Sequence, residues 1–183
     1  MDVNVSFPVD NGENVASRGL GKEVTYTADE EKGTIVTAGE LQDNQMKMNS
    51  VLKVESTDGS ITAGEEQGSL DVEGASEIII YVSADTDYKN EYPSYRTGET
   101  DAELAGSVAD TVAKASEKGF DGVKESHMAD YKELFDRVSL NLGQEASDKT
   151  TDDLLAAYKA SGDGAASDSE KRLLETLLYQ YGR

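Results

Sequence analysis

The run His127-Met128-Ala129-Asp130-Tyr131-Lys132-Glu133-Leu134-Phe135-Asp136-Arg137-Val138-Ser139-Leu140-Asn141-Leu142-Gly143 decides how the chain is read, because strand-like sequence lies before it and helix-like sequence after it. Phe120, Val123, His127, Tyr131, Leu134, Phe135 and Val138 recur at steps of three and four, the spacing that sets side chains on one face of an α-helix. Directly afterwards Val138, Leu140 and Leu142 alternate with Ser139, Asn141 and Gly143, the period of a half-buried strand. The expectation is an amphipathic helix with an aromatic face that passes almost without a loop into a strand and is thereby fixed against a sheet.

Upstream, from Val3 to about Thr86, the chain reads as β. Val3, Val5 and Phe7 alternate with polar residues, as do Val24 and Tyr26; Met46, Met48 and Val51-Leu52-Lys53-Val54 form another run, and Leu70 and Val72 a short one. Glu77-Ile78-Ile79-Ile80-Tyr81-Val82 is the most continuously apolar and is expected to be a central strand covered on both faces. Asp10-Asn11-Gly12, Lys32-Gly33, Asp58-Gly59 and Glu73-Gly74 supply turn chemistry between them. Short strands at this spacing with no helical stretch among them predict an antiparallel sandwich rather than βαβ units.

Downstream, three capping patterns punctuate the sequence. Thr100-x-x-Glu103 opens a helix with Leu104, Val108, Val112 and Ala115 on one stripe, ending at Gly119. Thr150-x-x-Asp153 opens a short one bearing Leu154, Leu155 and Tyr158, followed by Ser161-Gly162-Asp163-Gly164, which reads as a flexible linker. Ser167-x-x-Glu170 opens a last helix with Leu173, Leu174, Leu177, Leu178 and Tyr181 on one side and nothing after it to pack on, so the chain is expected to stop partway into a larger protein. The fold class expected is α+β: a partial antiparallel β-sandwich over 1–98, helices packed on the sheet with a returning strand over 99–143, and helical linker segments over 144–183.

A net charge of -20, from 37 acidic against 17 basic residues, repels phosphate backbones and anionic lipid, so neither nucleic acid nor a membrane surface is an expected partner. With no cysteine and the single His127, neither a thiolate zinc site nor a histidine cluster can form, and no metal or other cofactor is expected. No apolar run approaches the roughly 20 residues that span a bilayer, and Met1 opens no leader-like segment, so any export signal would lie outside this sequence.

Candidate chemistry is sparse. Glu30-Glu31, Glu65-Glu66 and Asp152-Asp153 are carboxylate pairs, but sequence neighbours point apart, whereas an acid/base pair needs two carboxyls converging on one bond, about 5–5.5 Å or 6.5–9.5 Å apart. They read as solvated surface. His127 lies on the apolar stripe and reads as a core histidine rather than a general base. Asp130 and Arg137 either lock the helix to other elements or are surface charges. Asp85-x-Asp87-x-Lys89-Asn90 has a lysine where a calcium loop needs a ligand. Tyr88, Tyr92 and Tyr95, around Pro93, have two readings: rings that cap a sandwich edge, or a glycan-binding platform.

The run His127-x-x-Asp130-Tyr131-x-x-x-Phe135-x-Arg137-Val138-x-Leu140-x-Leu142-Gly143 resembles the end of the N-terminal β domain and the linker of glycoside hydrolase family 95, the inverting α-L-fucosidases and relatives. Thr151-Asp152-Asp153-Leu154-Leu155-Ala156-Ala157-Tyr158 resembles that family's linker helix, and Leu178-Tyr179-Gln180-Tyr181-Gly182-Arg183 the opening helix of its (α/α)6 barrel. Ser83-Ala84-Asp85-Thr86-Asp87-Tyr88, Thr100-Asp101 and Ala113-Ala115-Gly119-Phe120 are similar in layout; the match is specific over about Ile78 to Arg183 and vague before. The resemblance implies a bacterial, extracellular or periplasmic hydrolase whose acid, base and polarising asparagines lie in the barrel. No catalytic residue is therefore expected here, and the barrel is the expected partner. A sandwich of so few strands also exposes edges, so either a strand-paired homodimer or the Phe120 helix folded over the open sheet is expected.

Overall fold

The computed structural model describes residues 1–6 and 21–182; Phe7 and the Asp10-Asn11-Gly12 turn signal lie outside the described residues. Two compact units, Met1–Val123 and Lys124–Arg183, divide the chain. In the first, the strands are β1 (Val3–Ser6), β2 (Lys22–Asp29), β3 (Thr34–Leu41), β4 (Lys47–Ser56), β5 (Ser60–Ala63), β6 (Ser69–Glu73) and β7 (Ile78–Thr86). They form a three-stranded sheet in the order β1-β6-β5 and a four-stranded sheet in the order β2-β3-β4-β7, with every pairing antiparallel. This is a sandwich-like α+β fold.

The period of two along β4 builds two cores from one strand. Leu52 and Val54 turn inward and meet Ile35 of β3, Val5 of β1, Leu70 and Val72 of β6, and Ala75. Val51 turns outward, beside Tyr81 of β7, and is covered by a helix. The β2–β3 turn supports the inner core: Gly33 has φ 63°, and a Cβ there would lie 2.5 Å from the Val54 carbonyl oxygen.

The covering helix is α1 (Asp101–Phe135), and its first half does the covering. The capping box is formed: the Thr100 amide donates to the Glu103 carboxylate at 2.8 Å and the Glu103 amide to the Thr100 hydroxyl at 3.3 Å. Val108 and Val112 pack on Val51 and Tyr81, with Val36, Ile79 and Ala115 at the margin. Lys53 donates to the Ser116 hydroxyl at 2.6 Å, and that hydroxyl donates to Glu55. Gly119, at φ 73° and ψ 164°, breaks the helix with a conformation open essentially to glycine alone.

Several expectations are corrected. The helix packed on the sheet is the Thr100-capped half of α1, whereas Phe120, Val123, His127, Met128, Tyr131 and Leu134 are exposed. His127 is thus no core histidine; its ring lies 6.0 Å from that of Tyr131, which stacks on Phe135 at 4.7 Å. No strand forms at Val138–Leu142, because local side chains occupy the backbone donors: Asn141 accepts from the Gly143 amide and Gln144 from the Leu142 amide, both at 2.8 Å. β7 is an edge strand. Its Ile80 and Val82 stand across from Val54 and Leu52 but are 45% and 54% exposed, since the buried inner cluster is drawn from β1, β3, β4 and β6.

The second unit contains α2 (Thr151–Lys159) and α3 (Asp168–Tyr181). Both capping patterns are formed, the Asp153 amide donating to Thr150 at 3.2 Å and the Ser167 amide to Glu170 at 2.8 Å. Ser161–Gly164 holds a single 3-10 turn rather than an open linker, and the Ala166 amide bonds the Ala157 carbonyl at 2.9 Å. Leu154, Ala157, Ala166 and Thr176 are buried.

Two substitutions separate core from margin. Leu70 is fully buried, so Leu70→Ala should cost about 2–5 kcal/mol in urea unfolding. Val82→Thr should stay within about 0.5 kcal/mol of the parent.

Candidate functional site

Past β7 the chain forms a pinned loop. Asp87 is buried, accepts from the Lys47 amide at 2.9 Å and pairs with the Arg96 guanidinium at 3.4 Å. Arg96 reaches the Asn44 carbonyl at 2.8 Å and the Tyr95 carbonyl at 3.0 Å, tying this loop to the β3–β4 turn. Tyr88 bridges to Arg96 across the loop, and the Tyr95 amide bonds the Glu91 carbonyl at 2.9 Å. Asp87 is therefore the loop's anchor, a role the incomplete calcium-loop pattern did not suggest; Arg96 had no sequence signal at all.

The tyrosines this loop carries are exposed. Tyr88, Tyr92 and Tyr95 are 51%, 82% and 42% exposed. The rings of Tyr92 and Tyr95 come together edge to face, centroids 6.3 Å apart and planes at 82°, whereas Tyr88 stands apart opposite Arg96. Tyr95 holds φ at 53°, in the left-handed region that a bulky side chain disfavours.

A cleft of about 780 Å³ lies between the ends of β2, β3 and β4 and the start of α1. Its carboxylates, Glu40 and Asp101, flank Lys47, whose ammonium pairs with Asp101 at 2.5 Å and is held protonated above the usual lysine range, chiefly by that bond. Among the described residues, the carboxylates with a distinct shift are all pushed down. The Ser116 hydroxyl, then Lys53, lowers Glu55; Lys32 lowers Asp29; the Ser76 amide lowers Asp58; the Thr100 amide lowers Glu103. A general acid for glycoside hydrolysis needs the opposite shift, so these groups are fixed as acceptors. Glu30, Glu31, Glu65, Glu66, Asp152 and Asp153 are exposed, as expected of solvated surface, and Arg137 turns back on Glu133 at 3.3 Å rather than toward Asp130.

In the second unit an apolar groove of about 770 Å³ runs between α2 and α3, lined by Leu155, Tyr158, Leu174, Leu177, Leu178 and Tyr181. Leu178 is 74% and Tyr181 93% exposed. The start of α3 is fixed electrostatically: Lys149 at 2.7 Å, with the Ser167 amide, holds Glu170 down to about 2.

Residues 119–183 match the family model of the glycosyl hydrolase family 95 catalytic domain. This is a glycoside-hydrolase-related chain resembling family 95. The family 95-like segment begins at Gly119, where α1 is broken. Residues 6–91 match the N-terminal domain of glycosyl hydrolase family 65, a different glycosyl hydrolase family. Among curated relatives, the probable alpha-fucosidase A of Aspergillus niger is 29% identical over 117 residues. That alignment covers 61% of this chain and 14% of the relative.

The α3 cap sets a pH response. Because Glu170 is depressed in the fold from 4.5 to about 2, its contribution is complete above pH 4.5 and is lost as pH falls toward 2. Helix content followed by circular dichroism should decline over that window, and Glu170→Gln should remove that part of the decline while lowering stability at neutral pH.

Proposed function

We propose that this chain is the non-catalytic sandwich-and-linker part of a secreted bacterial glycoside hydrolase of the α-L-fucosidase type, bracing a helical barrel in which the chemistry takes place. The observation that carries this reading is how carboxylates are bonded. Asp29 receives Lys32, Asp58 the Ser76 amide, Glu103 the Thr100 amide, and Glu170 both Lys149 and the Ser167 amide, contacts that favour the anion and serve turns and helix caps rather than proton donation. The matches to a glycoside hydrolase N-terminal domain over residues 6–91 and to a family 95 catalytic domain over residues 119–183 support the glycoside hydrolase part of this reading. The open groove of Leu155, Leu174, Leu177 and Leu178 offers barrel helices an apolar surface to join. A second reading, a carbohydrate-binding or surface-adhesion module, draws on the exposed rings of Tyr92 and Tyr95.

Incubated with 4-nitrophenyl α-L-fucopyranoside, this 183-residue chain should release no nitrophenol above a protein-free blank. Turnover that survives purification and disappears on heating would overturn the non-catalytic assignment.

A further inference from the structure

We propose that the corner formed by Tyr92 and Tyr95 is a binding site for a neutral pyranose unit of a glycan. It stands on geometry in the sandwich unit and holds whether or not the chain braces a barrel. The two rings are at 82° with centroids 6.3 Å apart, so they present two nearly perpendicular edges and faces rather than one flat patch. A pyranose suits such a corner: its C–H-rich face stacks on one phenol ring while an equatorial hydroxyl meets the hydroxyl or edge of the other. Tyr92 leaves 82% of its surface in water, so covering it by a sugar is favourable without displacing any packed side chain.

The loop is also built to hold this shape before a ligand arrives. Tyr95 keeps φ at 53° although glycine would suit that backbone better, and the cost is met by the Tyr95 amide bond to Glu91, the Lys89 amide bond to the Tyr95 carbonyl at 3.2 Å and the Arg96 clamp. Gln45, the other residue besides glycine with a positive φ among those described, sits in the turn that Arg96 grips through Asn44. Strain retained in two loops joined by one buried carboxylate and one guanidinium is the pattern of a preorganised contact surface. Charge selects the ligand class. Lys89 is neutralised by Glu91 at 2.6 Å and Arg96 by Asp87, and the chain carries a net -20, so sulfated, phosphorylated and sialylated glycans are repelled and neutral sugars are not.

The test is saturation-transfer NMR and titration of the chain with methyl α-L-fucopyranoside, methyl β-D-galactopyranoside, methyl α-D-glucopyranoside and N-acetylneuraminic acid. At least one neutral glycoside should receive saturation from tyrosine ring protons, and N-acetylneuraminic acid should bind more weakly than that glycoside. Tyr92→Ala should weaken binding by about five-fold or more, the order expected for loss of one aromatic face, and Tyr92→Phe should retain it. Tyr179→Ala removes an exposed tyrosine of the second unit that does not line its groove and should change nothing. Absence of transfer to all three neutral glycosides, an unchanged affinity in a Tyr92→Ala protein with the parent's melting curve, or equal weakening by Tyr179→Ala would each overturn the proposal.

Discussion

The four-stranded sheet has an apolar residue to bury on each face, and that constraint organises the first unit. Val51 and Leu52 are neighbours on β4, so they necessarily point to opposite sides. The inner side is closed by β1 and β6, and the outer side needs a separate cover. The Val108 and Val112 stripe of α1 is that cover, and it positions the helix before Gly119 breaks it. Each fully buried valine or leucine contributes roughly 1.5–3 kcal/mol, several times what the exposed ion pairs of this acidic surface supply.

Much of this was legible in local sequence. The hydroxyl-x-x-carboxylate patterns at Thr100, Thr150 and Ser167 marked helix starts because the capping bonds they make are strictly local, and the helix break at Gly119 follows from a single residue type. What failed were inferences about which face meets what. The aromatic periodicity from Phe120 to Phe135 is real, yet periodicity names a face and not its partner, so His127 was assigned to an interior it does not enter. Val138–Leu142 has strand periodicity, but Asn141 and Gln144 satisfy its amides locally. The apolar run in β7 suggested a central strand, while Ile80 and Val82 lie at a sheet margin. β3 and β5 were not singled out, since Thr34–Leu41 dilutes its apolar residues with glycine and alanine and Ser60–Ala63 is short.

The functional picture follows from how the chain uses its acidity. Its shifted carboxylates cap helices, close turns or receive lysines, and Asp87 anchors a loop. These are structural uses of negative charge, each with the donor that fixes it. They occur in a chain that is glycoside-hydrolase-related. The tyrosine trio was visible in the sequence; the pairing of Tyr92 with Tyr95, and the Asp87 to Arg96 link that pins the same loop, join residues whose partnership no spacing rule suggests.

The account rests on α1 and the four-stranded sheet forming one cooperative core, and a double-mutant cycle between Val51 and Val108 tests this most directly. Val51→Ala, Val108→Ala and the double variant would be compared by urea unfolding. Direct packing predicts a coupling of about 0.5 kcal/mol or more, with the double variant less destabilised than the sum. Additivity within about 0.3 kcal/mol, with both single variants destabilised, would show that the helix and the sheet do not share that core.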